Sequence, residues 1–347
     1  MIALSLFSGC LECGIQADPH PNQNMELKGY DTSITITDSL GNSKSFSRPV
    51  RRIICQNADS AEILIAIGAG DLIVGVAQSM LAKPELMAHL PNAQSIGDWQ
   101  MPDAETLASL KPDVIISYTS SKPKNLDNII ESANLTIIYL DCYKIDLLAS
   151  DARILGRITG RDEAARKYAG EIESYLRIID EKLETDPIVP NNGFVEGYTE
   201  ITAYSRGSLG DMIAKRLKFR NIAGNFSTQW TRVNAEWVID QNPDFILMVT
   251  TPSEEKYPTL KAAHSHIISR QGFDRISAVK NNRVYVINGD LISSPRGVIG
   301  LLYIANALYP DRFSELDPDE ELKQYTARYY QGCEWNETFY KHDPVRI

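Results

Sequence analysis

From residue 33 to 37 polar and apolar positions alternate with the two-residue period of a half-buried strand, and residues 43–47 resume the alternation. The intervening stretch, 38–42, is polar and contains Gly41, so a hairpin is predicted. From Arg52 the pattern changes. Short apolar runs at 52–55, 72–76, 114–117 and 136–140 alternate with helical segments such as 60–67, which Gly68 closes. Buried strands separated by helices predict a parallel α/β sheet.

Residues 162–185 are different in kind. They are rich in Ala, Glu, Arg, Lys and Leu, hold a single glycine and reach no proline until Pro187. One helix of about 24 residues is predicted, roughly 36 Å long at 1.5 Å per residue, enough to bridge two lobes. After a break at 187–192 the α/β pattern resumes, with strands at 193–198, 245–249 and 284–287 and a helix at 209–217. The expected organisation is a leader over 1–30, a first α/β lobe over 31–161, a linking helix over 162–186, a second α/β lobe over 187–312, and an extension over 313–347 with a helix at 320–331 and Cys333 and Trp335 packed back on a lobe.

An internal repeat supports two lobes more strongly than the pattern does. The segment beginning at Trp99 aligns without a gap on the segment beginning at Trp230, with Ala104-Glu105 over Ala235-Glu236 and Pro112-Asp113 over Pro243-Asp244. Each copy reads as a loop, a short helix capped by Asp103 or Asn234, a Pro-Asp turn and a buried strand. In open α/β sheets ligands sit beyond the carboxyl ends of the strands, so two such lobes face to face would enclose a cleft. Trp99 and Trp230, expected in loops, are then candidates for its opposite walls; ordinary packing against their own lobes is the alternative. Glu105 and Glu236 fall in the first turns of the repeated helices, where the helix dipole favours a carboxylate. They serve that local purpose or form a matched pair of surface acids that dock a basic partner.

Composition narrows the field of functions. Lys and Arg total 35 against 45 Asp and Glu, a net charge of −10, which disfavours binding to nucleic acid or anionic lipid. No stretch approaches the roughly 18 uninterrupted apolar residues of a spanning helix. Residues 1–9 are apolar and small and run into Cys10, as in the end of a secretory signal that precedes a lipid-modified cysteine, although the basic start is missing. Cys10 and Cys13 stand alone as a C-x-x-C, and Cys55, Cys142 and Cys333 are scattered, which argues against a zinc site.

Several ordered elements carry a resemblance: Arg52-Ile-Ile-Cys, Ala61-Glu62 followed by Ile67-Gly68, Val74-Gly75-Val76, Gly97-Asp98-Trp99, Leu110-Lys111-Pro112-Asp113, Asn242-Pro243-Asp244, Val284-Tyr285-Val286 and Ser294-Pro295-Arg296. Together, over residues 31–312, they resemble the solute-binding proteins of ABC importers for iron siderophores, haem and cobalamin. The resemblance implies two Rossmann-like lobes with parallel central sheets, joined by one long backbone helix, with a ligand cleft between them. It also implies a monomer that works outside the cytoplasm, touches the membrane only through a lipid on Cys10, and performs no catalysis. Its partners would be a small-molecule metal chelate and an ABC permease dimer with its ATPase.

By the same resemblance Tyr118 joins Trp99 and Trp230 as a pocket aromatic, and Glu105 and Glu236 engage permease arginines. Arg296 lies near the cleft mouth, where it pairs with ligand carboxylates or phosphate or else is a surface charge at a helix start. Ser79 and Met80 belong to a loop expected to border the pocket. Tyr198, Tyr204 and Arg206 follow the first strand of the second lobe, and an Arg among tyrosines suits an anionic chelate or a tetrapyrrole-like ligand. No resident cofactor and no bound metal ion are expected, because the five histidines do not converge and no catalytic motif occurs. An oxyanion such as molybdate or tungstate is the alternative cargo, and a chelatase-like enzyme the remaining one.

Overall fold

Strand Ile53–Cys55 is buried on both faces, which is why its residues show no polar alternation. It occupies the middle of a five-stranded sheet ordered Gln94–Ser95, Ile73–Val76, Ile53–Cys55, Val114–Ser117, Ile137–Tyr139. Every neighbouring pair in this sheet is parallel. From Ile53–Cys55 the chain first builds outward to one side and then returns to build the other, so the strand order reverses between Ile53–Cys55 and Val114–Ser117. That reversal opens a crevice at the strands' carboxyl ends. The computed structural model describes residues 33–341 except 48, 120–125, 185–190 and 334–337, so Cys10 and Trp335 lie outside the described residues.

The expected hairpin is present as Ile34–Thr37 paired antiparallel with Ser43–Phe46. Asp38 organises its turn, accepting the backbone N–H groups of Leu40 at 3.0 Å and Asn42 at 2.9 Å. The other carboxylate oxygen accepts the N–H of Tyr139 at 3.2 Å, which ties the hairpin to the edge of the first sheet.

The second lobe is centred on three parallel strands, Asn192–Glu196, Phe245–Thr250 and Val284–Asn288. Its edges are antiparallel, which the strand–helix spacing did not predict. On one side Thr202–Tyr204 returns against Asn192–Glu196 and is followed outward by Trp230–Arg232. On the other side Phe339–Lys341 pairs with Val284–Asn288. The first return needs no crossover helix because the chain reverses over a few residues through Ile201, whose φ of 50° lies in the left-handed region.

The Pro-Asp of the repeat has a structural reason. Lys111 and Asn242, at equivalent positions, leave their helices with φ of 46° and 43°. The following Asp113 carboxylate accepts the N–H groups of Arg51 and Arg52 at 2.6 and 3.0 Å, and Asp244 accepts that of Asn192 at 2.7 Å. In each lobe this aspartate binds the start of one central strand to the start of its neighbour and satisfies amides that begin before the sheet ladder does.

The linking helix runs Asp162–Glu184. Its buried residues Ala165, Tyr168, Ala169, Ile172, Tyr175, Leu176, Ile179 and Leu183 recur every three or four positions, giving one apolar stripe. That stripe meets helix Leu148–Thr159 of the first lobe and helix Gly297–Leu308 of the second. Close approach to the former requires Gly156, where a Cβ would come within 2.2 Å of the Ala165 methyl. The apolar core is continuous from Ile63 through Ile172 and Ile299 to Leu247, so the lobes are welded at this side. Helix Pro318–Tyr329 joins the same core, with the Tyr325 hydroxyl donating to Tyr168 at 2.8 Å. Cys333 is buried beside the first-lobe segment carrying Glu85, whose carbonyl lies 3.5 Å from its sulfur.

Candidate ligand-binding cleft

The crevice at the strand-order reversal of the first lobe is built by the residues just beyond the strands. After Ile53–Cys55, Asn57 caps helix Ala58–Ala66 by accepting the Ser60 N–H at 2.7 Å. This sets Asp59 in the first turn, where it is 6% exposed. Tyr118 follows Val114–Ser117 directly, and its hydroxyl donates to Asp59 Oδ2 at 2.6 Å. Burial pushes the Asp59 carboxyl up to about 7, against the opposing pull of the Tyr118 hydrogen bond. Burial, and then the neighbouring Asp59 charge, hold Tyr118 far above the usual tyrosine range, so it remains a neutral donor.

Beyond Ile137–Tyr139, Asp141 accepts from the Thr119 N–H and hydroxyl, each at 2.9 Å, and fixes the Tyr118 turn against the adjacent strand end. Cys142 then takes a φ of 55°, and its N–H is held by Asp151 at 3.1 Å. This reversal brings Tyr143 and Lys144 to the cleft. Lys144 Nζ sits 2.6 Å from Asp141. Burial works against its charge, but the hydrogen bond and charge of Asp141 prevail and raise its pKa above the ordinary lysine value. Trp99 occupies the turn of a small hairpin, Gly97–Asp98 with Met101–Pro102, and its carbonyl accepts from Gln56 at 3.0 Å. The rings of Trp99 and Tyr118 meet edge-on at 6.0 Å and those of Tyr118 and Tyr143 at 5.8 Å, forming an aromatic row.

The second lobe supplies the facing wall. Glu196, at the end of its strand, is buried and accepts two hydrogen bonds from Arg270, at 2.7 and 2.8 Å. It also accepts the Ile201 N–H at 2.7 Å, closing the reversal that presents Tyr198. Tyr198 lies over Gly289, where a Cβ would come within 2.2 Å of the phenol oxygen. Tyr204 is paired in register with Trp230 on the neighbouring edge strand. Trp230 is 57% exposed, an unusual position for so large an apolar ring. These two aromatic sets line one pocket of about 240 Å³.

Of the residues expected at the site, Trp99, Tyr118, Tyr198, Tyr204 and Trp230 therefore come together from both lobes. Trp230 begins a strand and does not sit in a loop, because the antiparallel edge extends that far. Arg296 is a correction. It is 1% exposed and spans the lobes to Glu62, with Nε donating to Oε2 at 3.0 Å and Nη2 to the Asp290 carbonyl at 2.8 Å. An arginine so committed is no ligand anchor and no surface charge. Met80 is also corrected: the turn Gln78–Ala82 directs it into the first-lobe core, while Ser79 faces solvent and is not among the described lining residues. Arg206 is exposed, and the chain reaches the pocket only at the next residue, Gly207. Glu105 and Glu236 are exposed in the first turns of helices Ala104–Ser109 and Ala235–Gln241, with Asp103 and Asn234 capping them by accepting the N–H groups of Thr106 and Trp237.

Asp59, Tyr143 and Lys144 line the pocket and were not anticipated. The signal was available, since all three lie within a few residues of the carboxyl end of a first-lobe strand, where open α/β sheets place ligand contacts.

A family model described as periplasmic binding protein matches residues 53–291. An uncharacterized ABC transporter substrate-binding lipoprotein of Bacillus subtilis is 26% identical, over 91% of this chain and 96% of the relative. The molybdate-binding protein MolA of Haemophilus influenzae is 22% identical, over 89% and 92% of the two chains. Among solved structures, the TroA-like periplasmic binding protein FepB of Veillonella parvula superposes with a TM-score of 0.77 at 18% identity, covering 89% of this chain and all (100%) of that one.

Proposed function

We propose that this chain, which belongs to the periplasmic binding protein family, captures a metal chelate outside the cytoplasm and delivers it to an ABC permease with its ATPase. The observation that carries the reading is the single pocket whose aromatic walls come from both lobes, Trp99, Tyr118 and Tyr143 on one side and Tyr198, Tyr204 and Trp230 on the other. Stacking on such faces holds a bulky ring-bearing ligand without covalent chemistry, and each well-packed aromatic contributes about 0.5–1.5 kcal/mol beyond its buried area. The welded side of the molecule leaves room for only a small closure of the cleft on binding. Arg296 is committed to Glu62 and drops out of the reading, and Arg206 is exposed beside the pocket without lining it.

Glu105 and Glu236 suit docking of the loaded protein, one acid per lobe on equivalent exposed turns. Replacing both by Ala is expected to leave chelate affinity unchanged and to lower uptake in a reconstituted importer; a loss of affinity would remove them from the docking surface. Attachment through a lipid on Cys10 fits a relative named as a lipoprotein. A thermal-shift panel of ferric siderophores, haem, cobalamin and molybdate tests the cargo, because a ligand of the folded state raises its melting temperature by mass action. A rise with a chelate supports the reading, and a rise with molybdate alone replaces it with oxyanion transport. Turnover of metal and tetrapyrrole into product would make the chain a chelatase.

A further inference from the structure

The charged groups around the pocket, among the described residues, do not balance. Among the described lining residues the ionisable acids and bases are Asp59 and Lys144. Lys144 is already engaged by Asp141, which is 0% exposed, and Asp151 lies buried behind them on the same side. Glu62 and Arg296 cancel one another. Among the described residues the floor of the first lobe thus holds three buried carboxyl groups, Asp59, Asp141 and Asp151, against the ammonium of Lys144, while Lys83, which also acts on Asp59, is paired with Asp290 at 3.4 Å. No arginine among the described residues lines the pocket, Arg206 lying exposed one residue before the lining Gly207.

We propose that the cleft selects its cargo by charge, taking neutral or cationic metal chelates and rejecting anionic ones, with Asp59, held in place by Tyr118, as the residue that sets the selection. The inference rests on the reading of the chain as a chelate-binding protein and narrows the chelate. The physical argument is electrostatic. A carboxylate beneath an apolar aromatic wall acts through a medium of low effective dielectric, so its charge is felt by a ligand several ångströms away far more than in water. The hydroxyl of Tyr118 occupies one carboxylate oxygen without neutralising it. Burial raises the pKa of Asp59, pushed up to about 7, and of Asp151, pushed up to about 6, and one neighbouring carboxylate adds to each, Glu62 to the first and Asp141 to the second. The groups acting on Asp59 are Glu62 on its own helix, Tyr118 on the adjacent strand end, Lys83 on the following turn, and Arg296 from the second lobe. A cationic ligand drives Asp59 to its ionised form, and an anionic ligand binds only with Asp59 protonated.

The test is calorimetric titration of the full chain with three ferric chelates of graded charge: cationic ferrioxamine B, neutral ferrichrome and anionic ferric enterobactin. Neutral cyanocobalamin, cationic aquocobalamin and molybdate are titrated alongside. Among the ferric chelates the cationic and neutral ones are expected to bind more tightly than the anionic one, and within the cobalamin scaffold aquocobalamin more tightly than cyanocobalamin. Asp59→Asn, which retains an acceptor for Tyr118, should reduce the cation preference about tenfold. The wild-type protein supplies a second readout that needs no variant: cation binding should release protons and weaken as pH falls from 8 to 5.5. Tighter binding of the anionic member, or a ranking that neither Asp59→Asn nor pH alters, overturns the charge selection while leaving chelate transport standing. Binding of none of the chelates overturns both.

Discussion

Asp59 shows how one residue ties stability to function. Its carboxyl is pushed from the ordinary 3.8 up to about 7, chiefly by burial. The folded protein therefore holds this proton more tightly than the unfolded chain, and folding takes up a proton between those two pH values. Below about 4 both states are protonated and the residue costs nothing. As pH rises to about 7 the stability contribution falls, and above that the full penalty remains. Asp59→Asn should accordingly melt with the wild type at pH 4 and above it at pH 8, by an amount on the order of 2–4 kcal/mol. Equal melting at both values would mean that the carboxylate is better solvated than its surroundings suggest. Neither this residue nor the fate of Arg296 was easy to read from the chain. Arg296 finds its partner 234 positions away in Glu62, a pairing that only the packed lobes create. Asp59 reads locally as one more acid in a helix's first turn.

At the scale of elements most of the fold was legible. The two-residue alternation of the hairpin, the apolar runs of both sheets and the stripe of the linking helix all report burial directly, and burial is what forms them. The repeat was legible because each copy solves the same problem, a capped helix that turns through a left-handed residue into Pro-Asp and a buried strand. What its aspartate does was not visible, because its partners Arg51, Arg52 and Asn192 lie 52 to 62 positions away. Removing that tie should weaken each sheet where it starts. Asp244→Ala and Asp113→Ala are each expected to lower stability by about 0.5–1.5 kcal/mol in urea titrations, since charge-assisted hydrogen bonds to backbone N–H groups at the strand starts are lost, the Asp113 pair at an exposed site and the Asp244 bond at a part-buried one. A midpoint unchanged in both variants would show that water replaces the carboxylate freely. The antiparallel edges escaped the sequence reading for the opposite reason. A three-residue strand such as Thr202–Tyr204 carries too few positions for a period to register.

The whole molecule is organised so that one side is fastened and the other is open. The shared core, the linking helix, the Glu62–Arg296 pair and the outer Lys83–Asp290 pair join the lobes, while the aromatic walls of the two lobes line one pocket. Both members of the pair are about 1% exposed, so neutralising one strands the other's charge in the interior. Glu62→Gln is expected to lower unfolding free energy by about 3–5 kcal/mol. A loss below 1 kcal/mol would mean that the Asp290 carbonyl and local water suffice for Arg296. The central claim is that a single ligand bridges the open side, touching an indole from each lobe. Calorimetric titration of Trp99→Ala and Trp230→Ala with a chelate that the wild type binds addresses it most directly. Each variant should bind at unchanged one-to-one stoichiometry with affinity weaker by about 1–3 kcal/mol. Unchanged affinity in both would place the ligand elsewhere and contradict the account.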